Sequence, residues 1–161
     1  MNRRFFLSGL LGAASFPFAR TLAHAQGSAP IEKIHRSEDE WRKLLTPEQF
    51  EVLRREGTER AGSSPLNDEK RKGEYVCAGC DLPLFTAEMK YDSGTGWPSF
   101  YTSIPGRLET ELDFKLILPR TEYHCARCGG HQGHVFDDGP PPTGKRWCNN
   151  GVALKFVPAT S

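Results

Sequence analysis

The first regular pattern of apolar and polar positions begins at Ser37 and predicts a short helix. Ser37 with Glu40 three residues later is typical of a capping box, in which each side chain accepts a hydrogen bond from the other residue's backbone N–H. Trp41, Leu44 and Leu45 then fall on one side of the helix, so we expect all three to face inward.

The same pattern occurs again a few residues later and predicts a second helix. Thr46 and Gln49 form the second capping box, and Pro47 occupies the first helical position, where its missing N–H group costs nothing. Phe50 and Leu53 are the expected inward residues of this helix.

Beyond Gly73 the apolar residues come in short β-rich runs that are separated by Gly and Pro. A parallel sheet would need long crossover connections, which this part of the chain lacks, so the strands should pair antiparallel. The predicted fold class is therefore mainly β with short N-terminal helices, built as two antiparallel sheets that form a small open barrel or sandwich. The runs that predict strands are Tyr75 to Cys77, Leu82 to Phe85, Phe114 to Leu118, Glu122 to Cys125, His134 to Phe136 and Val152 to Val157.

The first 25 residues have the order of an export signal. Arg3 and Arg4 precede an apolar run from Phe5 to Ala14, and Ala23-His24-Ala25 is a small-x-small pattern typical of a cleavage site. The paired arginines resemble a twin-arginine signal, which carries folded proteins across the bacterial inner membrane. We therefore expect residues 1–25 to be removed and the protein to be periplasmic.

The rest of the chain is predicted to be one domain behind a linker. Residues 26–36 show no periodicity and predict the linker, and residues 37–161 predict the domain. The apolar run near the N-terminus falls short of the roughly 20 residues of a spanning helix. No stable membrane insertion is therefore expected after signal removal, and an uncleaved membrane anchor is the alternative.

The charge balance argues against nucleic acid as a partner. The chain has 161 residues, with 21 Lys and Arg against 20 Asp and Glu. Loss of residues 1–25 would remove three arginines and no acid, which leaves a slightly acidic chain. Proteins that bind nucleic acid use a basic surface to neutralise phosphates, so no such partner is expected.

Four of the five cysteines form two Cys-x-x-Cys pairs. Cys77 with Cys80, and Cys125 with Cys128, have the spacing of turns in which four thiolates meet one tetrahedral Zn²⁺. We therefore expect a structural zinc site that joins two distant hairpins. Because an exported protein meets an oxidising compartment, two disulfides or a redox-active pair are the alternative.

Cys148 has no cysteine left to pair with, which makes it a candidate reactive residue, with a small buried apolar side chain as the alternative. Arg146 precedes it by two residues in an extended segment, so both side chains should share one face and the guanidinium should favour the thiolate. Asn150 would share that face. His131 and His134 are further candidates, with satisfied polar side chains or zinc ligands as their alternatives.

Several motifs occur in an order that is known from one family. Besides Gly57-Thr58-Glu59 and both cysteine pairs, they are Gly96-Trp97-Pro98-Ser99-Phe100, His131-Gln132-Gly133-His134-Val135-Phe136, Asp138-Gly139-Pro140, Arg146-Trp147-Cys148-Asn149-Asn150 and Ala153-Leu154-Lys155-Phe156. Over roughly residues 37–158 the chain resembles the B-type methionine sulfoxide reductases. The resemblance implies an open barrel of two small antiparallel sheets, and reduction of methionine-R-sulfoxide, mostly within proteins, to methionine.

The resemblance also implies a thiol-based mechanism. A thiolate attacks the sulfoxide sulfur, and a proton must reach the departing oxygen. The implied roles are Cys148 as nucleophile, Arg146 as the cation that holds it ionised, His131 and His134 around the sulfoxide oxygen, Asp138 and Asn150 as supporting hydrogen-bond partners, and Trp97 and Phe136 as an apolar slot for the substrate methyl group.

Thr95 is a departure from the family pattern that concerns the second half-reaction. Attack would leave Cys148 as a sulfenic acid, which another thiol must reduce. Many relatives carry a resolving cysteine at the position of Thr95, and with both pairs occupied by zinc this chain has none. We therefore expect a thioredoxin-like partner or a small thiol as reductant, with a borrowed zinc-pair cysteine as the alternative.

A protein without catalytic activity is the alternative at the level of function. Many four-cysteine zinc folds are β modules that bind other macromolecules. That interpretation leaves Cys148, Arg146 and the two histidines without a role, so the reductase is the favoured hypothesis.

Overall fold

The computed structural model describes residues 30–116 and 118–160, and this part of the chain forms two α-helices, nine β-strands and three short 3₁₀ turns. The export signal predicted for residues 1–25 lies outside it. The helices are α1 (Glu38–Leu44) and α2 (Pro47–Arg55), and the strands are β1 (Gly73–Cys77), β2 (Pro83–Thr86), β3 (Lys90–Tyr91), β4 (Ser99–Phe100), β5 (Leu108–Asp113), β6 (Arg120–Cys125), β7 (His131–Phe136), β8 (Arg146–Asn149) and β9 (Leu154–Pro158).

Both predicted capping boxes are present. The Ser37 hydroxyl accepts a hydrogen bond from the Glu40 backbone N–H at 3.4 Å, and the Glu40 carboxylate accepts one from the Ser37 N–H at 2.8 Å. Thr46 and Gln49 make the same reciprocal pair before α2, at 3.2 and 3.1 Å. Local sequence therefore determines where both helices begin.

The inward face of the helices is narrower than predicted. Trp41 and Leu45 are buried, and so are Phe50 and Leu53 of α2. Leu44 is 58% exposed, so the prediction for this residue is wrong. The helix α1 ends at Leu44 and the backbone becomes extended at Leu45, which places Leu45 and not Leu44 against the core.

The strands form two sheets, and every pairing among the described strands is antiparallel. One sheet has three strands in the order β2-β1-β9, and the other has six in the order β3-β4-β8-β7-β6-β5. The predicted fold class, mainly β with two antiparallel sheets and short N-terminal helices, is confirmed.

Two of the predicted strands differ from the structure. The run from Phe114 to Leu118 is not a strand in its described residues, because β5 ends before it at Asp113. Phe114 is 68% exposed, so its apolar side chain does not mark a buried strand position. The run that begins at Val152 starts with the 3₁₀ turn Gly151–Ala153 and only then enters β9.

Aromatic rings from both sheets meet in the core. Phe85 of β2 stacks on Phe100 of β4 with ring centroids 3.9 Å apart, and Tyr75 of β1 lies edge-on to Phe100 at 5.0 Å. Tyr123 of β6 lies edge-on to Phe85 at 6.4 Å. Each of these rings is fully buried, and a buried aromatic side chain removes about 150–250 Å² from water, so the cluster joins the two sheets.

Residues 30–36 form no helix or strand, yet they contact the rest of the fold. The Ile34 N–H donates to the Arg127 carbonyl oxygen at 2.8 Å, and Ile31 and Ile34 pack against the core. The described portion of the predicted linker therefore lies against the domain. None of the helices in the described ranges is long and apolar enough to cross a membrane.

Candidate active site

A row of polar side chains crosses the six-stranded sheet, with Cys148 near its centre. Cys148 of β8 lies directly opposite Ser99 of β4 on one side and His134 of β7 on the other. Glu122 of β6 lies opposite His134. Directly opposite residues of an antiparallel pair point to the same face of the sheet, so these four side chains share one face.

A β-bulge brings His131 to the same face as His134. Residues three apart in a regular strand point to opposite faces. Here the register shifts between Tyr123 and His124 of the partner strand, which leaves Gln132 as an extra residue in β7. The two imidazole rings consequently lie together, with centroids 5.6 Å apart.

A cavity of about 270 Å³ opens on this face beside Cys148. Six of the eight predicted catalytic and substrate-binding residues line it. The other two contact lining residues, because Asp138 binds Arg146 and His131 packs against His134. A larger cavity of about 790 Å³ lies between α2 and β9, and its lining contains no cysteine or histidine. The six lining residues are Trp97, His134, Phe136, Arg146, Cys148 and Asn150.

Arg146 is held by Asp138 next to the nucleophile candidate. Its Nε and Nη2 atoms donate to the two Asp138 carboxylate oxygens, both at 2.8 Å, and its guanidinium lies 4.3 Å from the centre of the Phe136 ring. Burial raises the pKa of Cys148, and the Arg146 charge and a hydrogen bond from Thr95 lower it by less. Burial and the Arg146 charge therefore act on the Cys148 thiol in opposite directions, and the role of Arg146 stays a prediction.

His134 is oriented by Asp113. His134 Nε2 lies 2.7 Å from Asp113 Oδ2, and Arg120 donates to the same oxygen at 2.6 Å. Hydrogen bonds from the Lys115 backbone N–H and from His134 hold the pKa of Asp113 well below its usual range, whereas burial lowers the pKa of His134. An ionised carboxylate only accepts hydrogen bonds, so His134 Nε2 carries a proton, and Nδ1 is the nitrogen that can act as a base when the ring is neutral.

His131 has a carboxylate partner of its own. Its Nδ1 atom lies 2.6 Å from Glu122 Oε1, and both side chains are buried. Burial lowers the pKa of His131 to about 4 and raises the pKa of Glu122. His131 is therefore neutral at neutral pH, and the two imidazoles are fixed by separate carboxylates from β5 and β6.

Glu59 joins the predicted substrate slot to the turn that follows Cys148. Its backbone carbonyl accepts a hydrogen bond from Trp97 Nε1 at 3.1 Å, and its N–H donates to Asn150 Oδ1 at 3.0 Å. Its carboxylate accepts hydrogen bonds from the N–H groups of Gly151 and Val152, at 2.6 and 2.9 Å. This one loop residue thus fixes the positions of Trp97 and Asn150 together.

The four paired cysteines converge: Cys77 and Cys125 end β1 and β6, and Cys80 and Cys128 lie in the turns that follow these strands. Their Sγ atoms lie within 4.8 Å of one another, with 3.7 Å between Cys77 and Cys128 and 3.5 Å between Cys80 and Cys125. Tetrahedral Zn²⁺ with bonds of about 2.3 Å places its sulfurs about 3.8 Å apart, so the donor set fits such an ion. All five cysteines are described, and none forms a disulfide, in contrast to the alternative of two disulfides.

The proteins to which this chain is similar agree with the chemistry that the site residues suggest. The SelR domain profile matches residues 45–158. The chain is 52% identical over 124 residues to peptide methionine sulfoxide reductase MsrB of Methanosarcina barkeri, an alignment that covers 76% of this chain and 87% of that relative. This chain belongs to the B-type peptide methionine sulfoxide reductase family. Proteins of the same name from Agrobacterium fabrum (49% identity, 78% of this chain, 94% of the relative) and Pseudomonas putida strain W619 (52%, 80% and 97%) are similar to it over comparable lengths.

Thr95 of this MsrB-family chain lines the cavity beside Cys148. Its hydroxyl is 2.8 Å from Ser93 Oγ, which is 2.8 Å from Ser99 Oγ. A chain of hydroxyl groups, and no thiol, therefore lies at the position where a resolving cysteine would be expected. The other four cysteines meet in the four-cysteine site, so no second thiol lies in the cavity wall among the described residues.

Three residues that orient this MsrB-family site were missed as site residues in the sequence. Asp113 ends a strand, β5, that the apolar pattern did not predict. Glu122 lies in a run that predicts a strand, but only the structure shows that it is opposite His134 and that its carboxylate contacts His131. Glu59 was visible as part of the Gly57-Thr58-Glu59 motif, but its partners are distant in sequence.

Proposed function

We propose that this protein reduces methionine-R-sulfoxide in proteins to methionine, with Cys148 as the nucleophile and an external thiol as the reductant. Methionine sulfoxide reduction follows from the family of the chain. The observation that carries the proposal is the position of Cys148: it is outside the four-cysteine site and lies in a cavity between Trp97, Phe136 and the basic nitrogen of His134.

The first half-reaction transfers oxygen to Cys148. The Cys148 sulfur attacks the sulfoxide sulfur and forms a sulfur–sulfur bond. The oxygen then moves to Cys148 as this bond and the sulfur–oxygen bond of the substrate break, so Cys148 is oxidised by two electrons to a sulfenic acid and the substrate is reduced to a thioether. The thiol proton of Cys148 ends on the transferred oxygen, so no further proton is required. A thiol whose pKa is raised by burial brings this proton with it.

His134 is suited to move that proton. It lies directly opposite Cys148 in the β7–β8 register, and its Nε2 atom is committed to ionised Asp113. Its Nδ1 atom accepts the proton as Cys148 attacks and returns it to the oxygen, which is general acid–base catalysis by one imidazole. Arg146 lowers the pKa of Cys148 and thereby the cost of forming the attacking thiolate.

Trp97 and Phe136 form the apolar part of the cavity and would receive the methyl group of the substrate. The indole of Trp97 is fixed through Nε1 by the Glu59 carbonyl, and Phe136 is covered by the Arg146 guanidinium. An exchange of epimers swaps oxygen and methyl at the sulfoxide sulfur. With the methyl group in the slot, only one epimer directs its oxygen toward the histidines, which supports discrimination between epimers.

The second half-reaction regenerates Cys148 with an external thiol. A reductant thiol attacks the sulfenic sulfur, water leaves and a mixed disulfide forms; a second thiol then displaces Cys148. Thr95 in the cavity wall and the commitment of four cysteines to another site support this route. The reductant would be a small thiol or a thioredoxin-like protein.

We infer that the four-cysteine site holds structural Zn²⁺. Cys77, Cys80, Cys125 and Cys128 would supply four thiolates, and the bound ion would join the turns of two different sheets. Its sulfur ligands are complete without water or substrate, which supports a structural and not a catalytic role.

The epimer preference is tested with blocked methionine sulfoxide. We expect turnover of the R epimer with dithiothreitol as electron source, and turnover of the S epimer at least about 100-fold slower, because the wrong epimer cannot place both its methyl group and its oxygen. Chiral chromatography of each epimer's reaction measures both rates. Activity on S alone, or on neither epimer, contradicts the proposed function.

We propose that the protein is exported to the periplasm by the twin-arginine route. Arg3 and Arg4 with the apolar run behind them support this location. In a bacterial host the mature protein should fractionate with the periplasm, whereas a variant with Arg3→Lys and Arg4→Lys together should remain in the cytoplasm. The same fractionation of a Lys33→Arg variant is the matched control, and wild-type protein in the cytoplasm alone would contradict the proposal.

A further inference from the structure

Gln132, the extra residue of the bulge in β7, contacts both the four-cysteine site and the segment that carries Cys148. We propose that Gln132 is a positioning residue that couples the two sites. A change in the four-cysteine site then alters the reactivity of the Cys148 thiol. The inference rests on the proposed function for the role of Cys148, but its test measures metal retention and thiol reactivity and needs no sulfoxide turnover.

The first contact of Gln132 is with a sulfur ligand. Its side-chain Nε2 donates to Cys77 Sγ at 3.4 Å, and both residues are fully buried. An N–H group directed at a thiolate stabilises its negative charge and fixes its direction, and partners behind metal ligands commonly tune metal affinity in this way. A side chain that lies in the catalytic sheet thus takes part in the four-cysteine site.

The second set of contacts reaches the residues immediately after Cys148. The Gln132 Oε1 atom accepts a hydrogen bond from Asn149 Nδ2 at 3.3 Å. The Gln132 backbone carbonyl accepts two more from Asn150, from its N–H at 2.8 Å and from Nδ2 at 3.0 Å. The buried Asn149 is held in turn by the hydroxyl of Tyr123 at 2.8 Å.

The geometry of one carboxamide joins these contacts. Its nitrogen end contacts Cys77 and its oxygen end contacts Asn149, so any rotation that follows a change at Cys77 also changes the contact at Asn149. The bulge adds to this effect, because it allows the Gln132 side chain to point away from the face of His131 and His134. Buried polar networks of this kind hold one arrangement of their members when every member is paired.

An apolar side chain would fill the same space without these constraints. If Gln132 only needed partners for its own hydrogen-bonding groups, those partners would not have to belong to two different sites. Gln132 instead connects a sulfur ligand to the neighbour of Cys148 through two consecutive hydrogen bonds, and this arrangement predicts energetic coupling between the sites.

Two variants separate the contacts of Gln132. Gln132→Leu removes the three side-chain hydrogen bonds, to Cys77, Gly130 and Asn149, at similar volume. Gln132→Glu retains the acceptor for Asn149 but places a carboxylate against Cys77. Leu84→Ala is the matched control, because Leu84 is fully buried in β2 and its loss lowers stability without removing a hydrogen bond at either site.

The zinc-loaded proteins are compared by two rates, after circular dichroism shows that each is folded. One is zinc loss to an excess of chelator, which should be about 10-fold faster in both Gln132 variants. The other is alkylation of Cys148 at fixed pH, which should change about fivefold in both, because both disturb the Cys77 end of the carboxamide. The control should match wild type in both rates.

Each outcome of the two rate measurements either supports the coupling by Gln132 or overturns it. Zinc loss at the wild-type rate in both Gln132 variants overturns the proposal, and so does faster zinc loss with unchanged Cys148 alkylation. Equal changes in Leu84→Ala would assign the effect to global destabilisation and would also overturn it. A Gln132 effect on both rates in an enzyme that reduces no sulfoxide would support the coupling and refute the proposed function separately.

Discussion

Replacement of Cys148 by serine should abolish reduction of methionine sulfoxide, with kcat/KM lower by at least about 1,000-fold. Serine has nearly the shape of cysteine, but its hydroxyl is not ionised by a neighbouring imidazole to a nucleophile that a sulfoxide sulfur accepts. Since the β8 register with β4 and β7 does not depend on the thiol, zinc content and the far-ultraviolet spectrum should remain those of wild type. Steady-state turnover with dithiothreitol measures the effect.

The product of the first half-reaction provides a second readout for the same residue. Wild-type protein treated with substrate and no reductant should carry one additional oxygen at Cys148, which a dione probe for sulfenic acids traps and mass spectrometry locates. Cys148→Ser should trap nothing. Residual activity of more than a few per cent in the variant, or a high yield of an internal disulfide that contains Cys148, would contradict the proposed mechanism.

The unfolding free energy of Cys148→Ser should lie within about 1 kcal/mol of wild type, because the residue is only half-buried and fills no part of the aromatic core. The same substitution also distinguishes the reductase from the alternative function, a β module that binds a partner without catalysis. A β module that only bound a partner would tolerate the substitution, whereas the cavity around Cys148 places five other predicted site residues beside one thiol.

The parts of the fold that could be predicted from the sequence are those with local causes. The capping boxes at Ser37 and Thr46 depend on residues three apart, so they are readable in the chain alone. Strand β5 was missed because its side chains alternate little: four consecutive positions are exposed, and among the described strands it pairs with β6 alone. An edge strand of this kind is specified by its neighbour and not by its own pattern.

Some features of the candidate site could likewise be predicted from the sequence, whereas others depend on residues that are distant in the chain. Cys148 and Arg146 are two residues apart in one strand. Because successive side chains of a strand point to opposite faces, the sequence alone predicts that these two share a face. The proximity of His131 to His134 depends on the bulge at Gln132, and their carboxylate partners come from other strands. The direction of the Cys148 pKa was also beyond the sequence, because burial is a property of the packed site and it outweighs the charge of Arg146.

Loss of one ligand from the four-cysteine site should be the most damaging change to stability. We expect Cys125→Ser to lose its zinc and to melt at least about 10 °C below wild type. A structural zinc site contributes on the order of 10 kcal/mol of folding free energy, and a domain of this size has only about 5–15 kcal/mol in total. The site also joins the turn after β1 in one sheet to the turn after β6 in the other, so its loss separates the sheets at one end.

Zinc analysis and thermal unfolding with and without chelator measure this effect, and Cys148→Ser is the matched control. Both variants exchange one sulfur for oxygen, but only Cys125 is among the four clustered sulfurs, so only its variant should lose metal. Chelator should lower the melting temperature of wild type and of Cys148→Ser equally and should have little further effect on Cys125→Ser. A zinc-free wild-type preparation that melts as high as the loaded protein would show that the cluster is not a structural metal site, because the four sulfurs would then be equally stable as neutral thiols without a metal ion.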